Sequence, residues 1–372
     1  MVFGWLFGRR DGAVGAPAAA DAGDDEGLLD AVVSGMPDAA IVLDREGRVI
    51  SFNNAARMIA PALARGAPAS LALRVPEVVE AVREAATGKG PRSVEFAQRV
   101  PVDRWFKVHI HPVGTARPMM LLTFHDLTPL HRAEQMRADF VANASHELRT
   151  PLASLSGFID TLQGSAREDA NARGRFLAIM KTQASRMARL IEDLLSLSRV
   201  ELIEHMHPDT PVDLVPVVRQ VVDGLQTLAT DRNVEIAVVP PAAPLIVPGD
   251  RDELTRVFEN LVENALKYGA AGKRVDITLA RGQTRAGAPE ARITVRDFGP
   301  GIAPEHLPRL TERFYRVDVT QSRAEGGTGL GLSLVKHILN RHGGRLTIES
   351  VSGQGATFTA VLPLGTNRAK AN

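Results

Sequence analysis

The sequence predicts a multidomain protein: an α+β domain comes first, then a long antiparallel helical hairpin, then an α/β layered domain. Three observations predict this order. Short β-type runs between turn signals fill the chain up to Phe124. Two long helical patterns separated by a polar segment follow. From Pro208 onward, strand and helix patterns alternate, as is typical of a layered α/β domain.

The composition is that of an ordinary soluble protein, with 44% hydrophobic and 23% charged residues. The formal net charge is +1, so no excess of basic residues points to a direct nucleic-acid partner. There are no cysteines, which excludes disulfides and thiolate metal sites. No apolar run reaches the roughly 18 residues that a membrane span needs. We therefore expect a cytoplasmic protein.

Residues 1–26 predict a flexible leader, and residues 366–372 a tail. The first ten residues are apolar and aromatic, and then basic. They fit a disordered tail, a weak interfacial anchor at the inner face of the membrane, or the stub of a deleted membrane segment.

Residues 27–127 predict an α+β domain that begins with a hairpin. Strand candidates are Ala39–Leu43, Arg48–Phe52, Arg92–Val100, Trp105–Val113 and Met119–Phe124, with a short helix over Asn53–Leu63. This order resembles a PAS sensor domain, as do Met36-Pro37-Asp38 before the first strand and Asp126-Leu127-Thr128 at the exit. The resemblance leaves two roles open, a small-molecule sensor and a dimerisation module without a ligand.

Residues 128–203 predict two long helices, Thr128–Gln163 and Arg173–Val200, joined by a polar turn. Thr128 suits the cap and Pro129 the first helical position. Two such helices bury their apolar stripes fully only by pairing with a second copy in a four-helix bundle. The sequence therefore predicts a homodimer.

His146 stands apart from the apolar stripe of the first long helix. At 100° per residue it lies about 160° from the line that the apolar residues follow, so it faces water. That line consists of Val141, Ala144, Leu148, Leu152, Leu155, Ile159 and Leu162. A lone histidine is usually structural, but this stripe is complete without it. An exposed, partly neutral imidazole is a reasonable nucleophile.

The neighbours of His146 suit acid–base chemistry. Glu147 could take the proton from the other ring nitrogen during attack. Thr150 lies one turn away, where its hydroxyl could orient a water. Pro151 inside the helix should remove a hydrogen bond and bend it, at a cost of about 3 kcal/mol. The alternative is an ordinary solvated face.

The stretch from Phe140 to Leu152 resembles the H box of histidine kinases almost letter for letter. The resemblance implies that His146 is phosphorylated, that Glu147 is the base, and that Thr150 serves hydrolysis of a partner's phospho-aspartate.

In residues 209–365, strand candidates are Val234–Val239, Arg274–Ala280, Ala291–Asp297, Arg345–Ser350 and Ala356–Leu362, with helices over Asp250–Tyr268 and Gly331–His342. The first of these helices has one polar face, made of Asn260, Asn264, Lys267 and Tyr268. Asp297, Gly299 and Gly301 follow a strand, where an aspartate can accept a hydrogen bond from an exocyclic amine. Phe314 and Arg316 come next, and then Gly327-Thr328-Gly329-Leu330-Gly331 opens a helix, where backbone N–H groups suit phosphates.

In this order, the four segments resemble the N, G1, F and G2 boxes of the α/β sandwich ATPase domain shared by histidine kinases, gyrase and the 90 kDa heat-shock chaperone. The resemblance implies that Asn264 ligates Mg²⁺ with support from Asn260, that Lys267 contacts phosphate, and that Asp297 reads the adenine amine. It further implies that Gly299 and Gly301 shape the adenine pocket, that Phe314 and Arg316 belong to a lid, and that the glycine-rich loop holds the triphosphate.

Together these features predict a sensor histidine kinase that uses ATP and Mg²⁺. It would pass its phosphate to the receiver domain of a response regulator of the winged-helix DNA-binding type, and would also act as that regulator's phosphatase. The wording of residues 137–143 and 157–162 is most like the phosphate-regulon sensor kinases. Two alternatives are an ATPase machine of the chaperone type, which would lack His146 in its context, and a scaffold that does not bind ATP.

Overall fold

The computed structural model describes residues 22–99, 103–114, 118–318, 322 and 325–365. The chain forms two compact units, Met1–Ala138 and Asp139–Asn372, which are considered separately. The predicted tail 366–372 and residues 1–21 of the predicted leader lie outside the described residues. The first helix, α1 (Ala22–Ser34), begins inside that predicted leader.

The first unit is built on one antiparallel five-stranded sheet. The strands are β1 (Ala39–Leu43), β2 (Val49–Phe52), β3 (Arg92–Gln98), β4 (Arg104–Val113) and β5 (Met119–Asp126). Their order in the sheet is β2-β1-β5-β4-β3. The five predicted strands are therefore confirmed, apart from small shifts at their ends. Val100 lies outside the described residues.

The two faces of β1 pack against different layers. Ile41 and Leu43 join a core that includes the short helices α2 (Asn54–Ile59), α3 (Ala69–Ala72) and α4 (Pro76–Ala86). Ala40 and Val42 are buried on the other face with Val33 of α1. All five residues of β1 are consequently buried. The predicted helix over Asn53–Leu63 is shorter than expected. Asn53 caps it by accepting from Ala56 N, and the helix ends at Ile59.

The two long helices are α5 (Thr128–Gln163) and α6 (Ala170–Leu202). Asp169 caps α6 by accepting hydrogen bonds from Asn171 N and Ala172 N. The start of α5 differs from the predicted cap. The carboxylate of Asp126 accepts from Thr128 N at 2.8 Å, while the Thr128 hydroxyl accepts from Trp105 N at 2.9 Å.

Much of the apolar surface of the hairpin is not covered within one chain. Large apolar side chains that are 40% or more exposed lie on both helices, and they include Val141, Leu152, Ile159, Leu177, Ile179, Ile191 and Leu195. Three of them, Val141, Leu152 and Ile159, belong to the stripe that the sequence predicts for the bundle interior.

The rest of the second unit is a sheet covered by helices. Its strands are β7 (Glu235–Val239), β9 (Arg274–Gln283), β10 (Pro289–Asp297), β11 (Arg345–Ser350) and β12 (Ala356–Pro363), in the order β11-β12-β10-β9-β7. Two short strands, β6 (Pro211–Asp213) and β8 (Ile246–Pro248), form a separate pair. The five predicted strands are confirmed. The β7–β9 pair is parallel and the others are antiparallel.

Three helices, α7 (Leu214–Asp231), α8 (Arg251–Tyr268) and α9 (Gly331–Arg341), pack with this sheet around one apolar cluster. Leu190, Leu197 and Val200 of α6 belong to the same cluster, so the hairpin and the layered domain share buried apolar contacts. Within the described part of the chain, no helix is both long enough and apolar enough to cross a bilayer.

Candidate functional site

A cavity of about 640 Å³ opens in the second unit beside α8 and the loop that precedes α9. It is lined by most of the residues that the sequence predicts for nucleotide binding: Asn260, Asn264, Lys267, Tyr268, Asp297, Gly301, Arg316, Gly327, Thr328, Gly329 and Gly331. Segments more than 60 residues apart in the chain thus meet around one cavity.

Helix α8 presents its polar side chains to this cavity because its other face is buried. Asp250 caps the helix by accepting from Asp252 N and Glu253 N. The buried face carries Leu254, Val257, Phe258, Leu261, Val262, Ala265 and Leu266. Burial of that stripe fixes the rotation of the helix, so the amide side chains of Asn260 and Asn264 lie on the cavity side.

Two polar residues of α8 have partners in the cavity wall. The Lys267 ammonium lies 2.8 Å from a carboxylate oxygen of Glu263. Asn260 donates to the backbone oxygen of Arg256, and a Cβ on Gly331 would lie 2.3 Å from its Oδ1. A larger residue at the start of α9 would therefore force the Asn260 side chain to move.

Asp297, at the end of β10, is buried and fixed in the opposite wall. Its Oδ1 accepts hydrogen bonds from Gly299 N at 3.0 Å and Ala356 N at 3.2 Å. Burial raises the pKa of this carboxyl, although both bonds favour the ionised form. Gly299 does not itself line the cavity. A Cβ there would lie 2.8 Å from the Cα of Gly269, so this glycine allows the strand end to pack against the end of α8.

The glycine-rich loop is hydrogen-bonded to the segment that the sequence predicts to be a lid. Phe314 has a φ of 63°, a conformation that non-glycine residues rarely adopt, and its N–H donates to Gly329 O at 2.8 Å. A Cβ on Gly329 would lie 2.9 Å from the Phe314 Cα. Phe314 points away from the cavity toward the ring of Phe140 on α5, 5.9 Å between centroids.

Leu330 and Tyr268 hold the loop from two sides. Leu330 is fully buried in the core and does not line the cavity, so it anchors the loop to the sheet. The Tyr268 hydroxyl lies 3.1 Å from the Ser322 hydroxyl. A Cβ on Gly327 would lie 2.9 Å from the Tyr268 hydroxyl.

His146 is exposed on α5, as the position of the apolar stripe predicts. The hydroxyl of Thr150 donates to the backbone oxygen of His146 at 3.2 Å. Helix α5 continues through Pro151. Proline has no N–H, so the carbonyl of Glu147 lacks its usual helical donor.

Glu147 connects the hairpin to the cavity. Arg316 donates to both of its carboxylate oxygens, at 3.3 and 2.9 Å, and Arg186 of α6 donates to one at 2.9 Å. Arg316 is 5% exposed and also donates to the backbone oxygen of Thr328. One guanidinium thus links the glycine-rich loop to the residue beside His146.

Helix α6 contributes a wall of the cavity that the sequence analysis missed. Arg189, Glu192 and Asp193 line it, and Asp193 accepts a hydrogen bond from the Thr328 hydroxyl at 2.7 Å. Burial raises the pKa of Asp193. Residues 189 and 193 are one helical turn apart and share a face, but nothing in that spacing indicates which domain the face would meet.

Three sequence families match successive parts of the chain. Residues 33–132 match the PAS fold, and residues 136–202 match the His Kinase A (phospho-acceptor) domain. Residues 249–366 match the histidine kinase-, DNA gyrase B- and HSP90-like ATPase family.

Several curated proteins are similar over most of the chain. The phosphate regulon sensor protein PhoR of Pseudomonas aeruginosa is 39% identical over 331 residues, which cover 87% of this chain and 71% of PhoR. The sensor-like histidine kinase SenX3 of Mycobacterium tuberculosis is 33% identical, over 90% of this chain and 80% of SenX3. The sensor protein kinase WalK of Staphylococcus saprophyticus is 30% identical over 93% of this chain, which spans only 56% of WalK.

Proposed function

The chain belongs to the sensor histidine kinase family, and we propose that it binds ATP in the cavity beside α8 and transfers the γ-phosphate to His146. The observation that carries this proposal is the link through Arg316. Its guanidinium donates hydrogen bonds to the backbone oxygen of Thr328 in the glycine-rich loop and to Glu147, the neighbour of His146. This link supports the proposal that the hairpin and the cavity act together in one reaction.

The cavity has the donors and acceptors that ATP requires. The fixed carboxylate of Asp297 suits the exocyclic amine of adenine, and Gly301, which lines the same cavity, would lie beside the ring. Backbone N–H groups before α9 suit the phosphates, with the helix dipole assisting. Lys267 would contact phosphate after exchanging its pairing with Glu263.

The residues also fit a magnesium ion that enters with the nucleotide. Among the described residues, no cluster of three His, Cys, Asp or Glu side chains could hold a metal. Mg²⁺ commonly keeps one or two protein ligands and binds mainly through phosphates and water. Asn264 lines the cavity, and its side-chain oxygen would be such a ligand, with Asn260 beside it. The ion would neutralise charge on the phosphates.

For transfer, a ring nitrogen of His146 attacks the γ-phosphorus while the bond to the ADP oxygen breaks, and Glu147 accepts the proton from the other ring nitrogen. In the present conformation Glu147 is bound by Arg186 and Arg316. We infer that Glu147 becomes available as the base once Arg316 moves from it toward the nucleotide.

We further propose that the chain acts as a homodimer and passes its phosphate to an aspartate of a response regulator. The exposed apolar side chains of α5 and α6 would form the interior of a four-helix bundle. Thr150 would orient water for hydrolysis of the phosphorylated regulator, and residues 27–127 would bias the hairpin between the two activities.

As a subtype, we propose that the chain senses phosphate limitation and passes the signal to a winged-helix response regulator. The similarity to PhoR supports this. Deleting the gene should abolish induction of a phosphate-starvation reporter and leave other stress reporters unchanged. Normal induction would contradict the proposed subtype but would not contradict the proposed kinase reaction.

The first experiment is incubation of the full chain with Mg²⁺ and γ-labelled ATP. Wild type should acquire acid-labile, base-stable label, and His146→Gln should acquire none. His131→Gln is the matched control, because His131 lies on the same helix but stacks on Trp105 in the first unit. ATP hydrolysis without labelling of His146 would favour an ATPase machine, and absence of ATP binding would favour a scaffold.

A further inference from the structure

We propose that Arg189 of helix α6 binds the terminal phosphate of the nucleotide and orients it for transfer. This inference rests on the proposed ATP site and adds to it a residue from the acceptor hairpin. Neither the predicted nucleotide-binding segments nor the segment around His146 includes this helix face.

The position of Arg189 is fixed by the packing of α6 on the glycine-rich loop. Its neighbour Leu190 is buried in the shared core, and Asp193, one turn further, accepts from Thr328. The Arg189 guanidinium lies against Gly326, since a Cβ on that glycine would be 2.8 Å from Nη2. Gly326 has a φ of 67° and lines the same cavity.

The charges around the cavity single out this side chain. Among the described residues, four cations line it, and three have carboxylate partners: Arg256 with Asp193, Lys267 with Glu263, and Arg316 with Glu147. Arg189 has no ion pair with any described residue, and its side chain is exposed to the cavity. It can therefore bind an anion without first breaking an ion pair.

The geometry favours the terminal phosphate over the others. Asp297 would hold the base at one wall, and the glycine-rich loop would hold the phosphates. Arg189 belongs to the hairpin that also carries His146, and the phosphate facing that hairpin is the one to be transferred. A planar guanidinium suits this role, because it can donate two parallel hydrogen bonds to phosphate oxygens.

The test compares two nucleotides that differ in the terminal phosphate. Affinities of the full chain for ADP and for a non-hydrolysable ATP analogue are measured by calorimetry in wild type, Arg189→Ala and Arg189→Lys. A lost charge-assisted phosphate contact should weaken analogue binding by about tenfold to a hundredfold. ADP affinity should change by less than about threefold, and lysine should restore part of the loss. The control is Arg199→Ala, an exposed arginine of α6 outside the cavity.

Autophosphorylation at saturating ATP provides the second measurement, and the Arg189→Ala rate should fall while the control rate stays unchanged. Equal analogue affinity in wild type and Arg189→Ala would overturn the inference, as would an equal loss for ADP and analogue. If wild type binds neither nucleotide, the proposed ATP site fails and this inference fails with it. Normal wild-type binding with no effect of Arg189 removes only the inference.

Discussion

Two buried titratable side chains fix backbone segments of the layered domain. Asp297 accepts from the N–H groups of Gly299 and Ala356, and so joins the end of β10 to the start of β12. His342, which follows α9, accepts from Asp250 N through Nε2 and donates to Ile338 O through Nδ1. Each side chain satisfies backbone groups that would be costly to leave unpaired in the interior.

Asp297→Asn should change the preference for the base. Asparagine can keep an acceptor toward Gly299 N, but an NH₂ group then replaces the second carboxylate oxygen. Against adenine this places a donor opposite a donor, so ATP affinity should fall at least about tenfold. GTP, which has an acceptor at that position, should lose less. The ratio of ATP to GTP affinities by competition binding measures the effect. An unchanged ratio would contradict the role of Asp297 in reading adenine.

His342 should make the stability of the layered domain sensitive to acid. Burial lowers its pKa, while Glu253 opposes the shift and Arg341 adds to it. Below about pH 6.5 the unfolded chain therefore binds more protons at this site than the folded chain. The stability that His342 contributes is present above that pH and is lost as pH falls toward the lowered pKa.

His342→Gln should remove this dependence. Urea unfolding at pH 7.5 and pH 5.5 should show a smaller loss in the variant than in wild type. At pH 7.5 the variant should be less stable by about 1–2 kcal/mol, because glutamine replaces the two hydrogen bonds imperfectly. His205→Gln serves as the control, since that side chain is exposed. Equal acid sensitivity of wild type and His342→Gln would assign the effect to other groups.

At the scale of elements, the hairpin helices carry an apolar face that a single chain leaves open. Leu152 is 54% exposed and Leu195 54% exposed. Full burial of such a side chain contributes about 1.5–3 kcal/mol. Burial of several such side chains between two copies would favour the proposed dimer.

Leu152→Glu should convert the proposed dimer into monomers, because a buried carboxylate without a partner is strongly unfavourable. Sedimentation at micromolar concentration measures the change. Ser165→Glu, an exposed position in the turn between α5 and α6, is the matched control because it adds the same single negative charge outside the two helices. A Leu152→Glu chain that sediments like wild type would place the dimer interface elsewhere.

Elements with a clear period could be predicted from the sequence, and those with conflicting propensity could not. The predicted bounds of strand β11 and of helix α5 agree with the observed bounds at both ends. Helix α7 was not predicted. It is rich in valine, which lowers helix propensity, yet its buried Leu214, Val217, Val218 and Val221 follow helical spacing. Tertiary burial there outweighs the local preference.

The candidate site was predictable to the same extent. Residues within motifs, such as Asn264 and Asp297, are predicted because their own segments carry the pattern, and both line the cavity. The face of α6 with Arg189 and Asp193 was not, since its role depends on which surface α6 packs against. Contacts between segments that are distant in the chain produce no local periodicity in the sequence, so such contacts could not be predicted from it.

On the scale of the whole second unit, the layered domain is docked on the end of α6 by two kinds of contact. Leu197 and Val200 are buried in the shared core. Around them lie polar pairs: Glu201 forms an ion pair with Arg313, and the His337 ring contacts the carboxylates of Glu201 and Glu204. These pairs are partly exposed, and pairs of that kind contribute about 0–1 kcal/mol each.

Leu197→Ala should therefore release the domain more than loss of the ion pairs does. Removing a fully buried leucine side chain costs about 2–5 kcal/mol, which exceeds the expected effect of Glu201→Gln. Small-angle X-ray scattering should give a larger radius of gyration for Leu197→Ala and a nearly unchanged one for Glu201→Gln, with Glu168→Gln in the hairpin turn as control. Circular dichroism checks that α6 stays helical in each variant. The opposite order, with Glu201→Gln opening the molecule and Leu197→Ala leaving it closed, would mean that charge rather than apolar burial holds the domain in place.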